Sequence, residues 1–82
     1  MWNERKSPLR VEKRFDFDEY SRISAFIKMV DELCKEKNIY PNISFSNNFV
    51  SMTIFLNEEK LSKIEKDFSK QIDDLYLEIK IN

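Results

Sequence analysis

From Leu9 the chain alternates. Leu9, Val11, Phe15 and Phe17 fall on one side of an extended backbone and Arg10, Glu12, Arg14 and Asp16 on the other, with Lys13 the exception on the apolar side. A period of two predicts a half-buried strand, apolar inward and charged outward. Asp18 follows as the expected N-cap, because its carboxylate can accept from the free amides of a first helical turn. The period then lengthens. Ile23, Phe26, Ile27, Val30, Leu33 and Cys34 recur at spacings of three and four, which predicts a helix from about Glu19 to Lys37 with one apolar stripe. Pro41 forbids its continuation and pushes Tyr40 toward extended geometry.

Beyond this corner, Ile43 and Phe45 alternate with Ser44 and Ser46, and Asn47-Asn48 offers a tight turn, since asparagine tolerates positive φ. A second run, Phe49 to Leu56, carries an inner row of Val50, Met52, Ile54 and Leu56 and an outer row of Phe49, Ser51, Thr53 and Phe55. The outer row is apolar enough to suggest that it too is partly covered. Asn57 to Lys60 reads as a polar connection, and Ser62-Lys63-Ile64-Glu65 fits a capping box. Leu61, Ile64, Phe68, Ile72, Leu75 and Ile79 then make a second amphipathic helix to about Leu77, with Leu77 to Ile81 left as a fraying end or a short edge strand. The predicted class is α+β, a small antiparallel sheet with helices packed on one face. Residues 1–8 show no periodicity and read as an N-terminal arm ahead of a single domain over 9–82.

Composition adjusts this picture in three places. A chain of 82 residues suffices for one small domain, and a core of that size leaves a monomer marginally stable, which favours a homodimer or dimer of dimers. The formal net charge of −1 argues against nucleic acid as a partner, because phosphate binding draws its affinity from clustered positive charge. The one basic cluster, Arg5-Lys6 to Arg10 and Lys13-Arg14, is interrupted by Glu4 and Glu12 and reads as a solvated arm and strand face. With no glycine in the chain, left-handed turn positions fall to asparagine, at 38, 42, 47, 48 or 57. Cys34 is the only cysteine and lies on the apolar stripe, so a small buried hydrophobe is expected there rather than a reactive thiol. No disulfide, no metal site and no membrane span is expected, and a reducing cytoplasm suits the chain.

The segment around Lys37 to Ile54 resembles the pterin-4a-carbinolamine dehydratase family. The strand Arg14-Phe15-Asp16-Phe17-Asp18 leads into a long helix carrying Phe26, that helix runs into Lys37-Asn38-Ile39-Tyr40-Pro41, and a hairpin through Phe49-Val50-Ser51-Met52-Thr53-Ile54 precedes the Leu61-Ser62 helix start. The likeness covers about residues 9–76 and rests on order and spacing more than on any one motif. It implies that Ile39, Tyr40, Pro41 and Ser51 stand where the dehydratases line their pterin site with histidines and a proline. The chain contains no histidine. Dehydration of a carbinolamine needs a group that exchanges protons near neutrality, which histidine supplies, whereas a tyrosine phenol titrates near ~10 in reference peptides. The expectation is therefore the scaffold without the chemistry: not an enzyme, and no cofactor.

One branch is closer still. The chain resembles the dehydratase-like proteins encoded beside α-carboxysome genes that act as RuBisCO assembly factors, through Trp2, Arg5-Lys6-Ser7-Pro8-Leu9-Arg10, Arg14-Phe15-Asp16-Phe17, Tyr40-Pro41-Asn42-Ile43-Ser44-Phe45 and Phe49-Val50. Asn42 departs from that branch's acidic residue. The resemblance implies a binding protein or chaperone for the RuBisCO large subunit, cytoplasmic and carboxysome-associated, with Tyr40, Phe45 and Phe49 as candidate partner contacts. Trp2 and its arm either fold on a partner or are terminal disorder without a role. The alternatives are an active 4a-hydroxytetrahydrobiopterin dehydratase with relocated acid–base groups, and a dimerisation or coactivator module for another protein.

Overall fold

The computed structural model describes residues 2–6, 8–56 and 63–81. Its elements run β1 (Asn3–Arg5), β2 (Arg10–Asp16), α1 (Tyr20–Lys37), β3 (Asn42–Phe45), β4 (Phe49–Phe55) and α2 (Lys63–Ile81). The strands form one antiparallel sheet in the order β1-β2-β4-β3. The register places Val11 opposite Ile54, Lys13 opposite Met52 and Phe15 opposite Val50, so the apolar rows of both central strands share a face. That face meets Ile23, Phe26, Val30 and Cys34 of α1 and Phe68 and Ile72 of α2 in one buried cluster. The expected α+β class, helices on one side of a small antiparallel sheet, is what the chain adopts.

An aromatic group knits α2 to the sheet. The Tyr76 ring lies 5.0 Å from Phe15 and 5.2 Å from Phe17, and Phe26 lies 5.1 Å from Phe15. The Tyr76 hydroxyl donates to the Asp16 carbonyl at 2.7 Å, so the polar tip of a largely apolar ring is satisfied at the end of β2. Arg22 donates through Nη1 to the carbonyls of Ile79 and Lys80 at 2.8 and 3.0 Å. These are carbonyls that a helix end leaves without an internal partner.

Four expectations need correction. The arm is part of the sheet: Asn3–Arg5 pair with Arg10–Glu12, and Trp2 packs edge-on against Phe15 with ring centroids 5.8 Å apart. No periodicity is visible in three residues that are all exposed. Asp18 is not the cap of α1; Glu19 precedes the first helical residue in an extended conformation, and its side chain makes no capping bond. Asp18 stands one position too early to reach the first-turn amides. The Asn47-Asn48 link closes the hairpin without positive φ, the only such non-glycine residue among those described being Asn38. Ser46 N–H donates across it to the Phe49 carbonyl at 3.0 Å, and Phe17 N–H fastens it from outside, donating to the Asn48 carbonyl at 2.8 Å. Finally, Leu77 to Ile81 are helical rather than an edge strand, because Tyr76 and Ile79 continue the buried stripe and Arg22 caps the end. The expected Ser62 capping box and the Asn57 turn lie outside the described residues.

Candidate functional site

The corner after α1 builds the site. Asn38 takes the left-handed conformation, φ 58° and ψ 40°, and its N–H returns to the Cys34 carbonyl. Ile39 N–H reaches the same carbonyl at 3.2 Å. A glycine-free chain thus ends its helix with asparagine, the residue next best suited to that backbone. The reversal turns Ile39 toward the core and lays Tyr40 and Pro41 along the start of β3.

Between α1 and β3 lies an open cleft of ≈ 340 Å³. Its helical wall is Ser24, Ile27, Lys28, Asp31 and Cys34, and its other wall is Tyr40, Pro41 and Ile43. Tyr40 stands 66% exposed at the mouth. Phe45 extends the same seam: it shares the helix-facing side of β3 with Ile43, and its ring lies 6.4 Å from that of Tyr20. Both rings are about half exposed.

The candidate residues do not all converge. Tyr40 and Pro41 line the cleft and Phe45 continues it. Ile39 packs behind them against the core. Ser51 and Phe49 lie on the opposite face of the sheet, since Ser51 pairs with Arg14 and Phe49 with Asp16 in the outward rows. There Arg14 sits over the Phe49 ring at 4.1 Å from its centroid, a cation–π contact. Sequence reasoning missed Ser24, Lys28 and Asp31 as cleft residues and Tyr20 as the neighbour of Phe45. Their spacing of three and four on the polar flank of the α1 stripe was the available signal.

The cleft's ionisable groups are few. Asp31 accepts from Lys35 Nζ at 3.2 Å in an i,i+4 pair. Burial, and secondarily the nearby Asp31 charge, pushes the Cys34 thiol up from its ordinary value of 9.0. It is therefore a neutral thiol at physiological pH and a poor nucleophile. Among the described residues, no cluster of three or more histidine, cysteine or acidic side chains could hold a metal ion. No described helix is long and apolar enough to cross a membrane.

The chain matches no family model and no curated protein. Solved structures do match. One is a pterin dehydratase-like protein identified as a RuBisCO assembly factor in the α-carboxysome, 30% identical, with a TM-score of 0.82 over 92% of this chain and 88% of that one. The chain belongs to the pterin dehydratase-like family. A transcriptional coactivator/pterin dehydratase from Brucella melitensis superposes with a TM-score of 0.80 over 92% of this chain and 81% of that one, and at 13% identity it shares the fold. In this pterin dehydratase-like protein the corner, cleft and hairpin rest on the scaffold common to both neighbours.

Proposed function

We propose that this protein is a non-catalytic assembly factor that binds RuBisCO large subunits during their folding or assembly. The observation that carries the proposal is the 30% identity, over 92% of the chain, to a relative described as a RuBisCO assembly factor. The sequence supports it from the chemical side. A cleft offering a phenol, a buried neutral thiol and a carboxylate already paired with Lys35 has no group suited to shuttling protons at neutral pH, and the chain holds no histidine that could. Tyr40 and Phe45 are the proposed anchors, since exposed aromatics beside a cleft are favoured contact residues. Phe49 would serve a contact on the other side of the sheet. The protein acts in the cytoplasm beside forming carboxysomes, as a homodimer or dimer of dimers.

Co-expression tests this reading. Tagged protein is produced with a form I RuBisCO large subunit, with and without the small subunit. Retention of large subunits on the tag and a higher yield of assembled enzyme are expected, and Tyr40→Ala with Phe45→Ala should lower both. No retention and no change in yield would overturn the proposal. Turnover of a 4a-carbinolamine pterin would overturn the non-catalytic part alone.

A further inference from the structure

The N-terminal arm occupies a slot that stands without it. β1 is three exposed residues at one edge of the sheet, with β3 and the Tyr40 cleft at the other. Trp2 fastens it. The half-buried ring packs edge-on to Phe15 at 5.8 Å, and Nε1 donates to Asp73 Oδ1 at 3.1 Å. Arg5 adds an exposed pair with Glu12 at 3.4 Å. Both walls that receive the indole are held by other groups. Lys13 Nζ binds the same Asp73 oxygen at 2.8 Å, and the Phe15 ring rests against Phe26 and Tyr76. The floor, β2, is paired with β4 along its whole length, Arg10 to Asp16.

β1 covers less of that edge than β2 offers. Phe17 N–H donates to the Asn48 carbonyl and Leu56 N–H to the Leu9 carbonyl. The alternation of an antiparallel ladder then turns the main-chain groups of odd-numbered β2 residues to β4 and those of even-numbered ones to the outer edge. β1 meets Arg10 and Glu12 there. The Asp16 carbonyl takes the Tyr76 hydroxyl, and Arg14 has no strand opposite it on that side among the described residues.

We propose that the Trp2 slot and the outer edge of β2 form a docking site for an extended segment of a partner protein, with a tryptophan three residues ahead of an arginine or lysine, and that the arm is a strap this segment displaces. The incoming indole takes the place of Trp2 on Phe15 and Asp73, the cation pairs with Glu12, and the backbone adds a strand to the sheet. Two carboxylates, Asp73 and Glu12, thus select donors in the visitor. The tethered strap competes at high effective concentration. A longer segment prevails over it by continuing to the Arg14 main chain, which β1 leaves open. The Tyr40 cleft lies at the opposite end of the sheet, so both sites can be filled at once.

The test uses a labelled synthetic peptide of threonine and valine carrying a tryptophan and an arginine at that spacing, with two residues ahead of the tryptophan. Fluorescence anisotropy measures binding. In the full chain, 5-fluorotryptophan at Trp2 gives a fluorine resonance that follows the arm. The peptide should bind, move that resonance to the position of a solvent-exposed fluorotryptophan, and shift amides of residues 10–16 and 73–76. Trp2→Ala, which frees the slot, should bind the peptide about tenfold more tightly than the parent. Replacing the peptide's tryptophan by 1-methyltryptophan removes the donor to Asp73 and should weaken binding about fivefold. Absence of binding would overturn the proposal. So would equal affinity for the parent and Trp2→Ala, a fluorine resonance unmoved at saturation, or shifts confined to the Tyr40 cleft. A dimer in light scattering that the peptide dissociates would overturn it as well, since the slot would then belong to the arm of a second copy.

Discussion

Asp73→Ala tests why a lysine sits on the apolar row of β2. Lys13 faces the helices with its side chain only 17% exposed, and its Nζ donates to Asp73 Oδ1 at 2.8 Å. The same oxygen accepts from Trp2 Nε1 at 3.1 Å, so one carboxylate satisfies both an inward lysine and the anchor of β1. Removing it leaves a partly buried ammonium without its counter-charge. Breaking a fully buried pair costs about 3–5 kcal/mol, and an exposed one is worth about 0.2–1 kcal/mol. Asp73 is 34% exposed and the lysine stem can lift its charge toward water, which places this pair between those limits. The lost indole bond adds about 1 kcal/mol. A total of about 2 kcal/mol follows, which for a domain of this size lowers Tm by about 10 °C.

Urea titration followed by circular dichroism measures the loss. Trp2 is the only tryptophan, so its emission reports separately whether β1 stays docked, and it should shift to the red in Asp73→Ala. Adding Lys13→Met should recover about half the loss, because an uncharged side chain on that row needs no acceptor and fills similar space. A change below about 0.5 kcal/mol in Asp73→Ala would refute the argument, since the pair would then behave as a surface contact. Failure of Lys13→Met to rescue would refute it too.

Other positions give sharper but narrower expectations. Asn38→Ala should cost about 1 kcal/mol in urea unfolding, because alanine bears the full penalty of the left-handed backbone, while Asn38→Gly should be neutral or stabilising. Arg10 first, and then Arg5, holds the Glu12 carboxyl below its ordinary value of 4.5. A depressed carboxylate adds stability above its unfolded value and loses it as pH falls through the folded value. Glu12→Gln should therefore flatten the acid limb of a Tm-versus-pH curve below about pH 4.5, and a curve parallel to the parent's would contradict this. Cys34 is 3% exposed with its thiol pushed up, so a disulfide reagent at pH 7 should label it only at the rate of unfolding.

Periodicity alone determined most of the architecture. The period of two in Leu9 to Phe17 and Phe49 to Leu56, and the three-four spacing from Ile23 to Cys34, place ten apolar side chains of one buried cluster on matching faces. Proline at 41 and asparagine at 38 mark the corner because local backbone sterics act on neighbours in sequence. Tertiary structure decided what depends on distant partners. Tyr76 reads as an ordinary helical tyrosine until Phe15, Phe17 and Asp16 meet it, and Lys13 reads as an exception until Asp73 and Trp2 explain it. The site shows the same division. Tyr40 and Phe45 could be named from the chain, and the alternation of β4 already set Phe49 and Ser51 in the outer row; the pairing of β3 with β4 then put Phe45 on the other, helix-facing side, away from them. The contact between α1 and α2 likewise exists only once two helices, separated by the whole hairpin in sequence, lie side by side.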